Sequence, residues 1–221
     1  MNRALVIFGL LIVLLSATAF AEEGATTEPS HLSPEEIAET QENSSELDPF
    51  DPNVEQYLQE FDQVYEQETG IPAHINDSLK FNVFGSVGCR RIECPIFVQI
   101  VKSTQRLYLY RDGQLIDTWL TSTGSAGHET PNLDKNPDGR IYDRYSSKKF
   151  PGGDYNGLGN MPYAVFIYNG FAIHGTPQSN WKYLGKKASH GCVRIHPDNA
   201  QYFNRLVREY GIRNVWVTIQ D

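Results

Sequence analysis

Two dipeptides constrain this chain most: Asp112-Gly113 and Asn169-Gly170, each set between short apolar runs. Asp-Gly and Asn-Gly occupy the two central positions of tight hairpin turns, where both residues need positive φ, so each marks an antiparallel strand pair. The first turn joins strands expected over residues 106–110 and 115–121, after an earlier one at 96–101. The second joins 163–168 to 171–174 and places His174 at a strand end. A helix opens at Pro197-Asp198, carries Ala200, Phe203, Leu206, Val207 and Tyr210 on one face and stops at Gly211, before a last strand at 215–219. These patterns predict a mainly β domain with one packed C-terminal helix.

Upstream lies a different composition. Residues 22–69 hold 15 Asp and Glu and no Lys or Arg, whereas the chain from Gly70 onward holds 18 basic and 12 acidic residues, a net +6. The stretch 22–50, rich in Glu, Ser, Thr and Pro, reads as an acidic disordered leader. Asp51-Pro52 then looks like a helix start, with Val54, Tyr57, Leu58, Phe61, Val64 and Tyr65 at helical spacing and a stop at Gly70. Residues 51–94 are therefore expected to be a helical extension and linker, the helix packing on the following domain or, alternatively, binding a partner. At the N-terminus, Arg3, an apolar run over 4–15 and Ala19-Phe20-Ala21 make residues 1–21 a signal peptide in pattern. That run is too short to span a membrane, which takes about 20 residues, and no following cysteine could take a lipid, so no stable membrane insertion is expected after cleavage. An uncleaved anchor is the alternative. The expected location is the periplasm or cell envelope.

The chemistry sits in residues 174–194. His174 and Cys192 lie 18 positions apart, with Gly175, Gly185 and Gly191 able to turn the chain back between them. A free thiol has a pKa of about 8.5, so only a few per cent is thiolate at neutral pH unless an imidazole takes the proton. Cys192 is the candidate nucleophile and His174 the candidate base. The backbone N–H groups of Gly191 and Cys192 could meet a developing oxyanion, and His190 could orient the sulfur or polarise the carbonyl. Zinc ligation by His174, His190 and Cys192 is a weaker reading, because neither His-Glu-x-x-His nor paired Cys-x-x-Cys is present; no metal or other cofactor is expected. Papain-like order, cysteine first and histidine far downstream, is excluded.

The run His174-Gly175-Thr176, followed by Ser189-His190-Gly191-Cys192-Val193-Arg194, resembles the signature of the L,D-transpeptidase (YkuD-type) catalytic domain family. Ser122-Thr123-Gly124, Thr130-Pro131, Met161-Pro162-Tyr163-Ala164 and Asn169-Gly170-Phe171-Ala172-Ile173 are similar to it too, so the likeness covers residues 95–221. The resemblance implies a β-sandwich, with Cys192 as nucleophile, His174 as base, the Gly175 carbonyl as its orienter and His190 beside the sulfur. It implies substrate contacts from Ser189, Arg194, Met161 and Tyr155, although some members carry asparagine where Arg194 stands. It also implies that the long Gly-, Pro- and Asn-rich segment 125–161 is a lid over the site, with Tyr142, Tyr145, Tyr155 and Met161 available to line it; an ordinary surface loop is the alternative. The implied reaction is attack on the L-centre carbonyl of a peptidoglycan tetrapeptide stem, release of D-alanine and transfer of the acyl group to an amine. That amine is a second stem or a lysine of an envelope protein. With water as acceptor the same intermediate makes an L,D-carboxypeptidase or endopeptidase, and an inactive cell-wall binding protein is the reading from another class.

Cys89 and Cys94, four residues between them, are a possible disulfide in an oxidising compartment, which leaves Cys192 as the odd thiol; both reduced is the alternative. A basic domain suits carboxylate-bearing substrates. No basic stripe with interleaved aromatics is present, which argues against nucleic acid. His128 and His196 carry no expected catalytic role.

Overall fold

The computed structural model describes residues 33, 48–75, 88–146 and 153–221. The expected signal peptide, nearly all of the acidic leader and part of the 51–94 linker lie outside the described residues. Among these residues no helix is long and apolar enough to cross a membrane.

Helix α1 spans Val54–Thr69. Strands β1 (Ile96–Val101), β2 (Arg106–Arg111), β3 (Gln114–Leu120) and β4 (Leu133–Lys135) follow. Then come β5 (Val165–Tyr168), β6 (Phe171–Gly175), β7 (Val193–Ile195), helix α2 (Pro197–Tyr210) and β8 (Val215–Gln220). They form one sheet in the order β3-β2-β1-β8-β4 and another in the order β5-β6-β7. Both predicted turns are present: Asp112 and Gly113 take φ of 48° and 77°, Asn169 and Gly170 take 45° and 84°. β1 and β8 run parallel, as do β6 and β7, and the other pairs are antiparallel.

Side chains alternate across a strand, and that alternation separates two cores. Val165, Ile167, Ile173, Val193 and Ile195 face the first core, shared with Ile96, Val98, Leu107 and Val217 of the larger sheet and Ala200, Phe203 and Val207 of α2. Ala164, Phe166, Ala172 and Cys192 face the opposite way, into a second core closed by Val54, Leu58 and Tyr65 of α1 with Tyr142, Tyr145 and Met161. The expected packing of the 51–70 helix is therefore against the face that carries the cysteine. Tyr57, assigned to its apolar stripe, is exposed instead, and Pro52 belongs to the turn before α1 rather than to its first turn.

The segment 125–161 is not a loop throughout. Leu133–Lys135 form the edge strand β4 on β8, and isolated bridges join Ile141 to Val165 and Tyr145 to Gly159. Tyr142 and Tyr145 of this segment stack at 5.4 Å between centroids and are buried. Cys89 and Cys94 are joined by a disulfide ahead of β1.

Candidate active site

The parallel register pairs Ile173 with Val193 and His174 with Arg194. Cys192 therefore leaves β7 on the same face as Ala172 and His174, two residues or about 6.6 Å of strand rise from the imidazole's own position. Both are deep: Cys192 is 1% exposed and His174 0%.

His174 is held by its own turn. Its Nδ1 lies 2.6 Å from the Gly175 carbonyl oxygen, which can only accept, so Nδ1 carries the proton and Nε2 keeps the lone pair. Gly175 must be glycine for a packing reason: an added Cβ would fall 2.9 Å from Pro197 Cα and 3.0 Å from Pro162 Cγ. The following Thr176 is fixed by Asn180, whose Nδ2 donates to its hydroxyl at 3.0 Å, and by Trp181, whose Nε1 donates to its carbonyl.

The cysteine loop is shaped by hydrogen bonds that run along its own backbone and to the 122–130 segment. Ser189 Oγ donates to the Cys192 carbonyl and accepts from the Gly191 N–H at 3.2 Å. Thr130 Oγ1 donates to the Gly191 carbonyl at 2.6 Å and accepts from Gly124 N at 2.8 Å. Backbone bonds of 2.9 Å tie Ser122 to Arg194 in both directions and Ser125 N to the Ser189 carbonyl. Gly191 takes φ of +112°, a conformation glycine adopts without strain.

The other expected site residues have partners of their own. The Gly191 N–H, expected to meet an oxyanion, donates to Ser189 in this arrangement. Ser189 and Arg194, expected to touch substrate, are buried like Cys192 and His174, and Arg194 Nη1 donates to the Ala188 carbonyl at 2.9 Å. Met161 shares the second core with Cys192. Tyr155 lies in a separate turn, its N–H donating to the Gly159 carbonyl at 2.9 Å. His128, set aside in the sequence, packs at a tilt against His190 with 4.8 Å between centroids, whereas His196 caps α2 by accepting from Asp198 N. Thr130 was visible only as part of a family-like pair, and nothing local in the sequence pointed to its bridge to Gly191.

Tyr145 stands close enough to the sulfur to feel it. Burial first, and then the neighbouring Cys192, push the Tyr145 phenol above its ordinary range. Cys192 Sγ lies 3.6 Å from the Gly170 carbonyl oxygen at the β5–β6 turn. Among the described residues no cluster of three or more His, Cys, Asp or Glu could hold a metal ion.

A family model described as the YkuD L,D-transpeptidase catalytic domain matches residues 95–217. No curated protein sequence matches the chain. Among solved structures, an L,D-transpeptidase from Mycobacterium smegmatis is 18% identical over 58% of this chain and 59% of its own, with a TM-score of 0.47. An L,D-transpeptidase from Stackebrandtia nassauensis is 21% identical over 62% of this chain and 60% of its own, with a TM-score of 0.43. An L,D-transpeptidase from Mycobacterium tuberculosis is 19% identical over 58% of each chain, with a TM-score of 0.43. The chain thus spans about three fifths of the length of these structures.

Proposed function

This chain belongs to the L,D-transpeptidase catalytic domain family, and from that premise we propose that it is an exported cysteine acyltransferase acting on peptidoglycan stem peptides. The observation that carries the proposal is the pair at the end of β6 and the start of β7. His174, its tautomer set by the 2.6 Å bond to Gly175, presents Nε2 on the sheet face from which Cys192 projects.

In the proposed reaction Nε2 takes the thiol proton and the sulfur attacks the carbonyl of the L-configured third residue of a tetrapeptide stem. The C–N bond to D-alanine breaks, His174 returns the proton to the leaving amine, and an acyl-thioester on Cys192 remains. An amine from a second stem, or the lysine of an envelope protein, then attacks the thioester; His174 removes the amine's proton and the sulfur leaves to recover it. Ser189, Thr130 and Arg194 keep the Cys192 loop in place by bonds to its backbone, a positioning role.

Export is part of the same reading. It is supported by the signal-like residues 1–21 and by the Cys89–Cys94 disulfide, a bond that persists in oxidising compartments. The excess of positive charge from Gly70 onward suits carboxylate-bearing stems.

The test is product analysis by mass spectrometry after incubation with purified disaccharide tetrapeptide. A cross-linked dimer lacking one D-alanine is the expected product. Tripeptide alone would replace the amine acceptor by water and make the protein an L,D-carboxypeptidase, and unchanged substrate would favour a wall-binding protein without catalysis.

A further inference from the structure

A carbonyl must come within about 3–3.5 Å of a nucleophile before it can react, and nothing reaches a sulfur that is 1% exposed. Tyr145, Met161, Phe166 and Ala172 enclose Cys192 from within the domain, and the rest of that core, Val54, Leu58 and Tyr65, comes from outside the stretch that matches the family.

The segment 48–69 makes close contacts. A Cβ added to Gly191 would fall 2.8 Å from Pro49 Cγ and 3.0 Å from Phe50 Cε2; one added to Gly170 would fall 2.7 Å from Val54 Cγ2 and 3.3 Å from Pro49 Cα. Phe50 meets Phe171 edge to face at 5.4 Å between centroids and His128 at 5.9 Å, and His128 in turn packs at a tilt against His190. Pro49, Phe50 and Val54 thus lie across Gly170-Phe171 and His190-Gly191, the two turns that flank Cys192. Behind them Leu58 and Tyr65 of α1 share the core that contains the sulfur.

We infer that residues 48–69 are an autoinhibitory strap over Cys192, with Pro49 and Phe50 as its plug, and that substrate enters when the plug lifts from Gly170 and Gly191. The inference rests on the reading of Cys192 as the nucleophile. The strap has an anchored part and a releasable part. Along α1, Arg140 donates to Glu55 at 2.8 Å and to Asp62 at 3.1 Å, and Tyr142 donates to Asp62. The plug is secured differently. Its turn is tied within itself, by Phe50 N to Asp48 Oδ1 and Asn53 N to Asp51 Oδ1, both 2.9 Å, while its rings touch the domain through apolar contact and Phe50 stays 49% exposed. Asn53, at the junction, makes no side-chain cap bond to α1, and the helix is held from its first turn onward by Arg140 through Glu55, so the releasable part ends ahead of Val54.

The experiment is alkylation of Cys192 by iodoacetamide in the full chain under non-reducing conditions, where Cys89 and Cys94 are bonded to each other. Pro49→Gly/Phe50→Ala should react at least about tenfold faster than the unaltered chain, with the same near-UV circular dichroism. Should that variant lose its native spectrum, Phe50→Ser, which alters a half-exposed ring only, carries the test with the same expected direction. Equal rates in the folded variant and the unaltered chain would overturn the strap, as would an unaltered chain that reacts as fast as its urea-unfolded form. Faster alkylation without any turnover of disaccharide tetrapeptide would leave the strap standing and remove the transpeptidase reading instead.

Discussion

Arg140 Nη2 lies 3.1 Å from Asp62 Oδ2, a bond that joins the strand-rich domain to the helix whose apolar face shares a core with the cysteine. The guanidinium is 5% exposed and also reaches Glu55, so one buried cation holds two carboxylates of α1 against the domain. Removing one member of a buried ion pair costs about 3–5 kcal/mol because the other charge is left uncompensated.

Arg140→Met should therefore destabilise the protein by about 2–3 kcal/mol, less than the full figure because Glu55 is half in solvent. Urea unfolding at neutral pH measures it. Since α1 loses its anchor, the variant should also show faster exchange of the α1 amides than of those in β1 and β8.

The same clasp should weaken in acid. Arg140 hydrogen bonding holds Glu55 below its ordinary value; burial raises Asp62, but hydrogen bonds from Tyr142, Arg140 and His74 outweigh it and hold that carboxyl low as well. A carboxyl with a depressed folded pKa contributes stability that is fully present above its unfolded pKa, about 4, and is lost as pH falls through the folded value. The stability difference between the unaltered chain and Glu55→Gln/Asp62→Asn should be largest at neutral pH and shrink as pH drops below about 4. Urea midpoints across a pH series check this, and a difference that grew on acidification would contradict it.

Thr130→Val should lower turnover with little effect on the overall fold. The hydroxyl satisfies both the Gly191 carbonyl and the Gly124 N–H in a buried setting, and leaving such groups without a partner costs about 1–3 kcal/mol. Because that strain falls on the Cys192 loop, kcat should drop by about tenfold or more while near-UV circular dichroism is retained; Thr130→Ser should restore most of it.

Much of the architecture could be read from local chemistry. Asp112-Gly113 and Asn169-Gly170 fix both hairpins because few pairs tolerate positive φ at both turn positions, and Pro197 with Gly211 brackets α2. The three-residue strands β4 and β7 escaped, since a period of two cannot be recognised over so few positions. The sequence offered the residue types of the site but not the bonds that hold them. Cys192 and His174 stand together on one sheet face, whereas Ser189, Arg194 and the Gly191 N–H are engaged in holding the loop, which depends on the 122–130 segment far away in sequence. The amphipathic pattern of α1 announced a packed helix but not its target, because an apolar stripe records that a face is covered and not by what.

Thiol counting of denatured protein isolated without reductant should give one thiol before reduction and three after it, as the Cys89–Cys94 disulfide requires. Three thiols before reduction would contradict the disulfide.

The central claim, that Cys192 carries the acyl group, is tested most directly by intact-protein mass spectrometry after brief exposure to disaccharide tetrapeptide, in the full chain and in Pro49→Gly/Phe50→Ala. The account predicts a covalent adduct of the substrate less D-alanine that maps to Cys192. It should be stronger in the variant, slowed by at least about 100-fold in His174→Ala and absent in Cys192→Ala. An adduct that persists in Cys192→Ala, or release of D-alanine by that variant at the unaltered rate, would contradict it.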